Sequence, residues 1–139
     1  MLNRLAIIVR DDGFDKMLTP LTFAWEHASR GGEVDVLFVL WAVRSLTEEG
    51  ARRATIEGRH AEEADWLRRR LSAASFPTNI RDLLTEITNT GRVRLHACKL
   101  AAATFEVDPD DLIPEAEGIL DPNVFLAEHA EGGKRCLCF

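Results

Sequence analysis

No apolar run in this sequence approaches the roughly eighteen residues needed to span a bilayer. The longest, Val34 to Val43, is already interrupted by Asp35. The opening residues, Met1-Leu2-Asn3-Arg4, lack the long apolar stretch and small-residue cleavage site of a secretory leader. A soluble cytoplasmic protein with no membrane partner is therefore expected. Internal repeats and low-complexity segments are missing, and 46% apolar against 29% charged residues is a globular balance without the signature of disorder. A net basic face is lacking as well: the formal charge is −6, which argues against nucleic acid as a partner. The one dense basic cluster, Arg68-Arg69-Arg70, follows Glu63 and Asp65 at helical spacings and reads as a salt-bridged solvent face. Cysteine is scarce. Three thiols, an odd number in a chain without an export signal, argue against a disulfide framework and leave buried, reactive or metal-bound thiols as the alternatives.

What is present alternates between strand and helix signals. Arg4 to Val9 is a short β-branched run closed by Asp11-Asp12-Gly13, a buried first strand and its turn. A helix is expected from Asp15, with Leu18, Leu21, Trp25 and Ala28 on one face, Pro20 in its first turns and Gly31-Gly32 stopping it. Val34 to Val43 reads as a second strand, apolar on both faces. Ser45-Leu46-Thr47-Glu48 fits a capping box, and a charged helix from about His60 to Ala74 buries Ala64, Leu67 and Leu71. Asn79 caps a helix with Ile80, Leu83, Leu84 and Ile87 inward. Val93 to Ala97 is the third strand, Lys99 to Phe105 a short helix and Ala116 to Leu120 a fourth strand. Asp121-Pro122 opens a helix to about Ala130, and after Gly132-Gly133 the last strand runs from Lys134 to Cys138. One α/β domain over residues 1–139 follows: a flavodoxin-like three-layer sandwich with a parallel five-stranded sheet of order 2-1-3-4-5.

Cys98 is the first candidate for chemistry. In an open α/β sheet, ligands sit beyond the carboxyl ends of the strands, and a cysteine ending the third strand faces that crevice, close to the loop Arg10 to Phe14. Opening a helix, its sulfur would receive unpaired backbone N–H groups, which favour thiolate over thiol. The bland alternative is a packed thiol, since free cysteine is among the most often buried residues. His96 shares a strand phase with Cys98 and Arg94; it can assist the thiol, line a subunit contact, or simply hydrogen-bond at a strand edge. Cys136 and Cys138 share one face of the last strand, as packing residues or as a redox or sulfur-accepting pair. Two ligands do not make a zinc site, and His27, His60, His96 and His129 are scattered, so no metal is expected. The loop Arg10 to Asp15 carries three carboxylates, one glycine and no hydroxyl, a poor phosphate cradle, so flavin mononucleotide is disfavoured and no cofactor is expected. Its aspartates read as helix caps, or as metal ligands of the response-regulator kind. Trp41, ending the second strand, should share a rim with Cys98.

Three segments together resemble DsrE/DsrF-like proteins, the sulfur-relay (TusD/YchN-like) family. They are Asn3-Arg4-Leu5-Ala6-Ile7-Ile8-Val9 with Asp15-Lys16, Leu37-Phe38-Val39-Leu40-Trp41-Ala42-Val43 with Leu46, and Val93-Arg94-Leu95-His96-Ala97-Cys98 with Asp110-Asp111-Leu112-Ile113. The resemblance covers nearly the whole chain and is weakest from Ala51 to Pro77. It implies a small flavodoxin-like subunit that forms trimers, hexamers or hetero-oligomers. It further implies a persulfide-carrying cysteine at Cys98, exchanging sulfur with donor and acceptor proteins by thiolate displacement. By their placement in the chain, Asp12, Gly13, Trp41, His96 and Lys99 are expected at the rim of that site. Some family members lack the cysteine and serve structurally. A non-enzymatic assembly subunit with a packed Cys98, and a redox switch pairing Cys98 with Cys136 or Cys138, are the other two readings.

Overall fold

Five short apolar stretches pair into one parallel sheet: β1 (Leu5–Val9), β2 (Val34–Phe38), β3 (Val93–Cys98), β4 (Ala116–Leu120) and β5 (Arg135–Cys138). The structure, a computed structural model, describes residues 4–130 and 135–139; Gly132-Gly133 and the expected strand start at Lys134 lie outside the described residues. Between the strands run α1 (Phe14–Ser29), α2 (Glu48–Arg53), α3 (Ala64–Ala73), α4 (Ile80–Thr88), α5 (Lys99–Thr104) and α6 (Pro122–Phe125), the last continued by a wider turn over Leu126–Ala130. The class is α/β, a flavodoxin-like parallel sheet between helical layers. No helix among the described residues is long and apolar enough to cross a membrane.

The strand order is β4-β3-β2-β1-β5, not the expected 2-1-3-4-5. β2 lies between β1 and β3, pairing Val9 with Phe38 on one side and Phe38 with Ala97 on the other. The chain therefore winds in one direction from β1 to β4, and only the return to β5 crosses back to the far side of β1. With right-handed crossovers, the connections after β1, β2 and β3 share one face of the sheet, and the return carries α6 over the other. β3 and β4 thus form the neighbouring pair whose following helices leave to opposite faces, the place where such sheets open a crevice.

The two faces differ in chemistry because side chains alternate along each strand. Leu5, Ile7, Val9, Val34, Val36, Phe38, Val93, Leu95 and Ala97 make one wholly buried apolar face. It packs against Phe14, Met17, Leu21 and Ala24 of α1 and Ile80, Leu83, Leu84 and Ile87 of α4, all without exposed surface. The other face carries Ala6, Ile8, Asp35, Leu37, Arg94, His96 and Cys98, laterally matched as Ala6–Asp35–Arg94 and Ile8–Leu37–His96.

Several local expectations shift. α1 is helical from Phe14, with Pro20 inside it. The second strand stops at Phe38; Leu40 takes the left-handed conformation (φ 50°), and a 3-10 segment, Leu40–Leu46, buries Ala42, Val43 and Leu46. A short apolar run has the same periodic signature whether it is a buried strand or a buried helical turn. The cap of α2 is Thr47, whose hydroxyl accepts from Gly50 N, while Ser45 lies buried. Ala64, Leu67 and Leu71 are only partly buried against the core.

Candidate functional site

Cys98 ends β3 at the switch between β3 and β4, laterally paired with Leu120. It occupies the cap position of α5, but its side chain makes no capping hydrogen bond, and that helix has only six residues. The side chain is 5% exposed and belongs to the hydrophobic core. The expected proximity to the loop Arg10 to Phe14 does not hold, because β2 stands between the strands that carry them.

The rim residues fall into two groups. Asp12 accepts from Arg44 Nη2 at 3.0 Å. The Arg44 guanidinium lies 5.3 Å from the ring centres of both Trp41 and Phe105, and Trp41 stacks tilted on Phe105 at 5.1 Å. Phe105 closes the helix that Cys98 opens, so Asp12, Trp41 and α5 share one rim through Arg44. Trp41 stands on the 3-10 segment rather than on a strand end, 48% exposed; Leu40 before it and Leu100 on α5 are exposed too, at 49% and 70%. Lys99 is exposed and lines a cavity of about 940 Å³ with Ile119 and Asp121. Asp12 and Gly13 line a second cavity, of about 820 Å³, with eight carboxylates against Lys16, Arg44 and Arg53. Its field repels phosphate. Cys98 lines neither cavity. The loop aspartates do not cap α1: Asp11 Oδ1 instead accepts from Gly13 N at 2.8 Å, and Lys16 approaches its other oxygen at 3.5 Å.

His96 does not stand alone. It lies on the face of the sheet covered by α6 and the following turn, with Asp35 and His129. His96 Nε2 is 3.0 Å from Asp35 Oδ1, and Arg94 forks both Asp35 oxygens at 2.8 and 3.1 Å while reaching Glu33 at 2.8 Å. His129 Nδ1 stands 3.1 Å from Asp35 Oδ2 but off the line of a hydrogen bond, and it has no other hydrogen-bond partner among the described residues. The two imidazole rings lie 5.4 Å apart, each in contact with the buried Phe125. Burial works against the charge of Asp35, but hydrogen bonds from His96 and Arg94 and the Arg94 charge outweigh it and hold the carboxyl well below the usual range. The same contacts push Arg94 upward. The histidines expected to be scattered are in two cases brought together. Asp35 and Arg94 were visible as charges in apolar strands, whereas nothing local marked His129 as their neighbour.

Cys136 and Cys138 are exposed on the edge strand β5, in register with Ala6 and Ile8. Partial burial, then the neighbouring Cys138 thiol, push Cys136 upward. Three strand spacings, about 14 Å, separate β5 from β3, beyond the roughly 7 Å Cα limit for a disulfide. A switch pairing Cys98 with either thiol is thereby excluded within one chain.

No protein-family model matches the chain, and no curated protein matches it in sequence. The architecture makes it an α/β protein of flavodoxin-like type. More particularly, the fold is shared with the YchN protein from E. coli, at 18% identity over 100% of both chains and a TM-score of 0.65. It is shared equally with MTH1491 from Methanobacterium thermoautotrophicum, described as a protein of unknown function, at 14% identity over 99% of each chain and a TM-score of 0.66. At such identities the likeness is one of fold.

Proposed function

We propose that this chain is a sulfur-relay subunit that holds sulfur as a persulfide on Cys98 while docked to a protein partner. One observation supports it above others: the thiol lies at the switch between β3 and β4 and opens α5, which carries the exposed Leu100 and packs on the 3-10 segment that carries the exposed Leu40 and Trp41. Adjacent large apolar side chains left in water favour being covered by another protein. The resemblance of the Val93-to-Cys98 segment to the sulfur-relay family gives that docking its chemistry. In the transfer, the Cys98 thiolate attacks the outer sulfur of the donor's persulfide. The donor's S–S bond breaks, its thiolate leaves, and the outer sulfur remains on Cys98; the reverse displacement hands it to an acceptor thiol. Lys99 and Trp41 belong to the docking rim in this reading, Asp12 joins it through Arg44, and Gly13 fixes the loop beside it. The active form is a homo-oligomer, and no cofactor takes part.

The 5% exposure of Cys98 favours a second reading, an assembly subunit whose cysteine is packed. One experiment separates them. The native protein is incubated with a small-molecule persulfide donor, and each cysteine peptide is then weighed. Added sulfur on Cys98, absent in Cys98→Ser, supports the carrier. Sulfur confined to Cys136 and Cys138, together with a Cys98 that alkylates only after unfolding, leaves the packed subunit.

A further inference from the structure

We propose that Asp35, His96 and His129 form a binding site for a zinc-like divalent ion, independent of the thiol at Cys98. The three side chains come from β2, β3 and the turn after α6. Their ligand atoms, one from each, all lie within 4.8 Å of one another. Two imidazole nitrogens and one carboxylate form a set that borderline metals take readily, whereas magnesium and calcium call for oxygen alone. Three protein ligands leave a fourth position open, the arrangement of metal sites that bind an exchangeable group.

Each imidazole lies beside a different oxygen of Asp35, and His96 Nε2 must give up its hydrogen bond to Oδ1 when it ligates. His96 Nε2 to Asp35 Oδ1 is 3.0 Å and His129 Nδ1 to Asp35 Oδ2 is 3.1 Å. With metal–ligand bonds of about 2.0 Å, neighbouring ligands around a tetrahedral ion stand about 3.3 Å apart. The approach of the imidazole pair is the part that must tighten, and His129 sits on a single turn at the end of a short helix, where a small shift suffices.

His129 Nδ1 carries the argument. The atom is buried, 3.1 Å from Asp35 Oδ2 and without a hydrogen bond among the described residues. A neutral imidazole nitrogen that makes no hydrogen bond keeps its lone pair free for a metal. Arg94 is the opposing cation. It occupies one lone-pair direction on each Asp35 oxygen, out of about four in the carboxylate, and part of its charge is answered by Glu33. Arg4 approaches Asp35 Oδ2 only at 3.9 Å. Arg94 then holds the carboxylate as an outer-shell partner would.

The test uses the full chain carrying Cys136→Ser and Cys138→Ser, which removes the exposed thiols as competing ligands. Cobalt(II) is titrated in and read by its visible ligand-field bands, then displaced with zinc. One equivalent should bind, without a thiolate charge-transfer band, and His129→Ala should weaken binding at least about tenfold. His96→Gln is the second variant, with circular dichroism on each to establish that it folds. Absence of binding, binding unchanged in both folded variants, or a thiolate band from Cys98 would each overturn the assignment. Sulfur loading of Cys98 is untouched by any of these outcomes.

Discussion

A carboxylate taken out of water costs several kcal/mol unless its lone pairs are answered. At Asp35, 2% exposed, Arg94 and His96 answer them. Because the folded carboxyl titrates below the unfolded one, the folded state holds fewer protons, and the stabilisation is complete above the unfolded value. It is lost as pH falls through about 4 toward the lower folded value. Urea midpoints measured against pH should therefore drop steeply on the acid side, and Asp35→Asn should flatten that limb. At neutral pH the same change should cost about 3 kcal/mol, since Arg94 keeps Glu33 but loses its bidentate partner. Phe125, fully buried against both imidazoles, should cost about 3–5 kcal/mol as Phe125→Ala by urea unfolding. At this scale a charge inside an apolar strand is visible in the chain, and its partners are not, because they arrive on other elements.

Among the elements, α4 shows how far local chemistry carries. Asn79 caps it by accepting from Asp82 N at 2.9 Å, and the four residues spaced to face inward are all fully buried. Asn79→Ala should lower stability by about 1 kcal/mol in thermal or urea unfolding. The start of α2 is tighter. A methyl group added at Gly50 would run into the backbone carbonyl of Arg44, which cannot swing aside as a side chain can. Gly50→Ala should cost about 1–3 kcal/mol by the same measurement. The segment from Val34 to Val43 marks the limit of local reading. Its apolar run is broken only by Asp35, yet Leu40 ends the strand by adopting positive φ, and the 3-10 turn that follows buries Ala42 and Val43 while leaving Leu40 and Trp41 exposed. The burial of Val34 to Phe38, Ala42 and Val43 was legible there, and the conformation that leaves Leu40 and Trp41 in water was not, since a short apolar run has no period that separates strand from helical turn.

Across the whole molecule, strand order decides which residues can meet. Cys98 and the β5 thiols lie on opposite sides of β1 and β2, so mild oxidation followed by non-reducing peptide mapping should yield no Cys98–Cys136 or Cys98–Cys138 linkage within a chain. Linkages between chains through the exposed edge strand are the expected oxidised product. The same order keeps Cys98 at the opening between β3 and β4 and puts β2 between it and the acidic loop after β1, which lines a cavity with α2 and with Phe105 to Val107. His129 reaches Asp35 only because the return from β4 to β5 crosses the polar face.

The amino-acid sequence by itself determined the alternation of strands and helices, the parallel sheet and the core face of α4, because these rest on side-chain period, caps and turn residues read within a few positions. It also placed Cys98 at the join of β3 and α5. Tertiary structure alone decided the strand order, the closing of the core over Cys98 and the meeting of Asp35, His96 and His129. Those depend on which face each crossover takes, a competition among packings of the whole chain rather than a preference of any short segment.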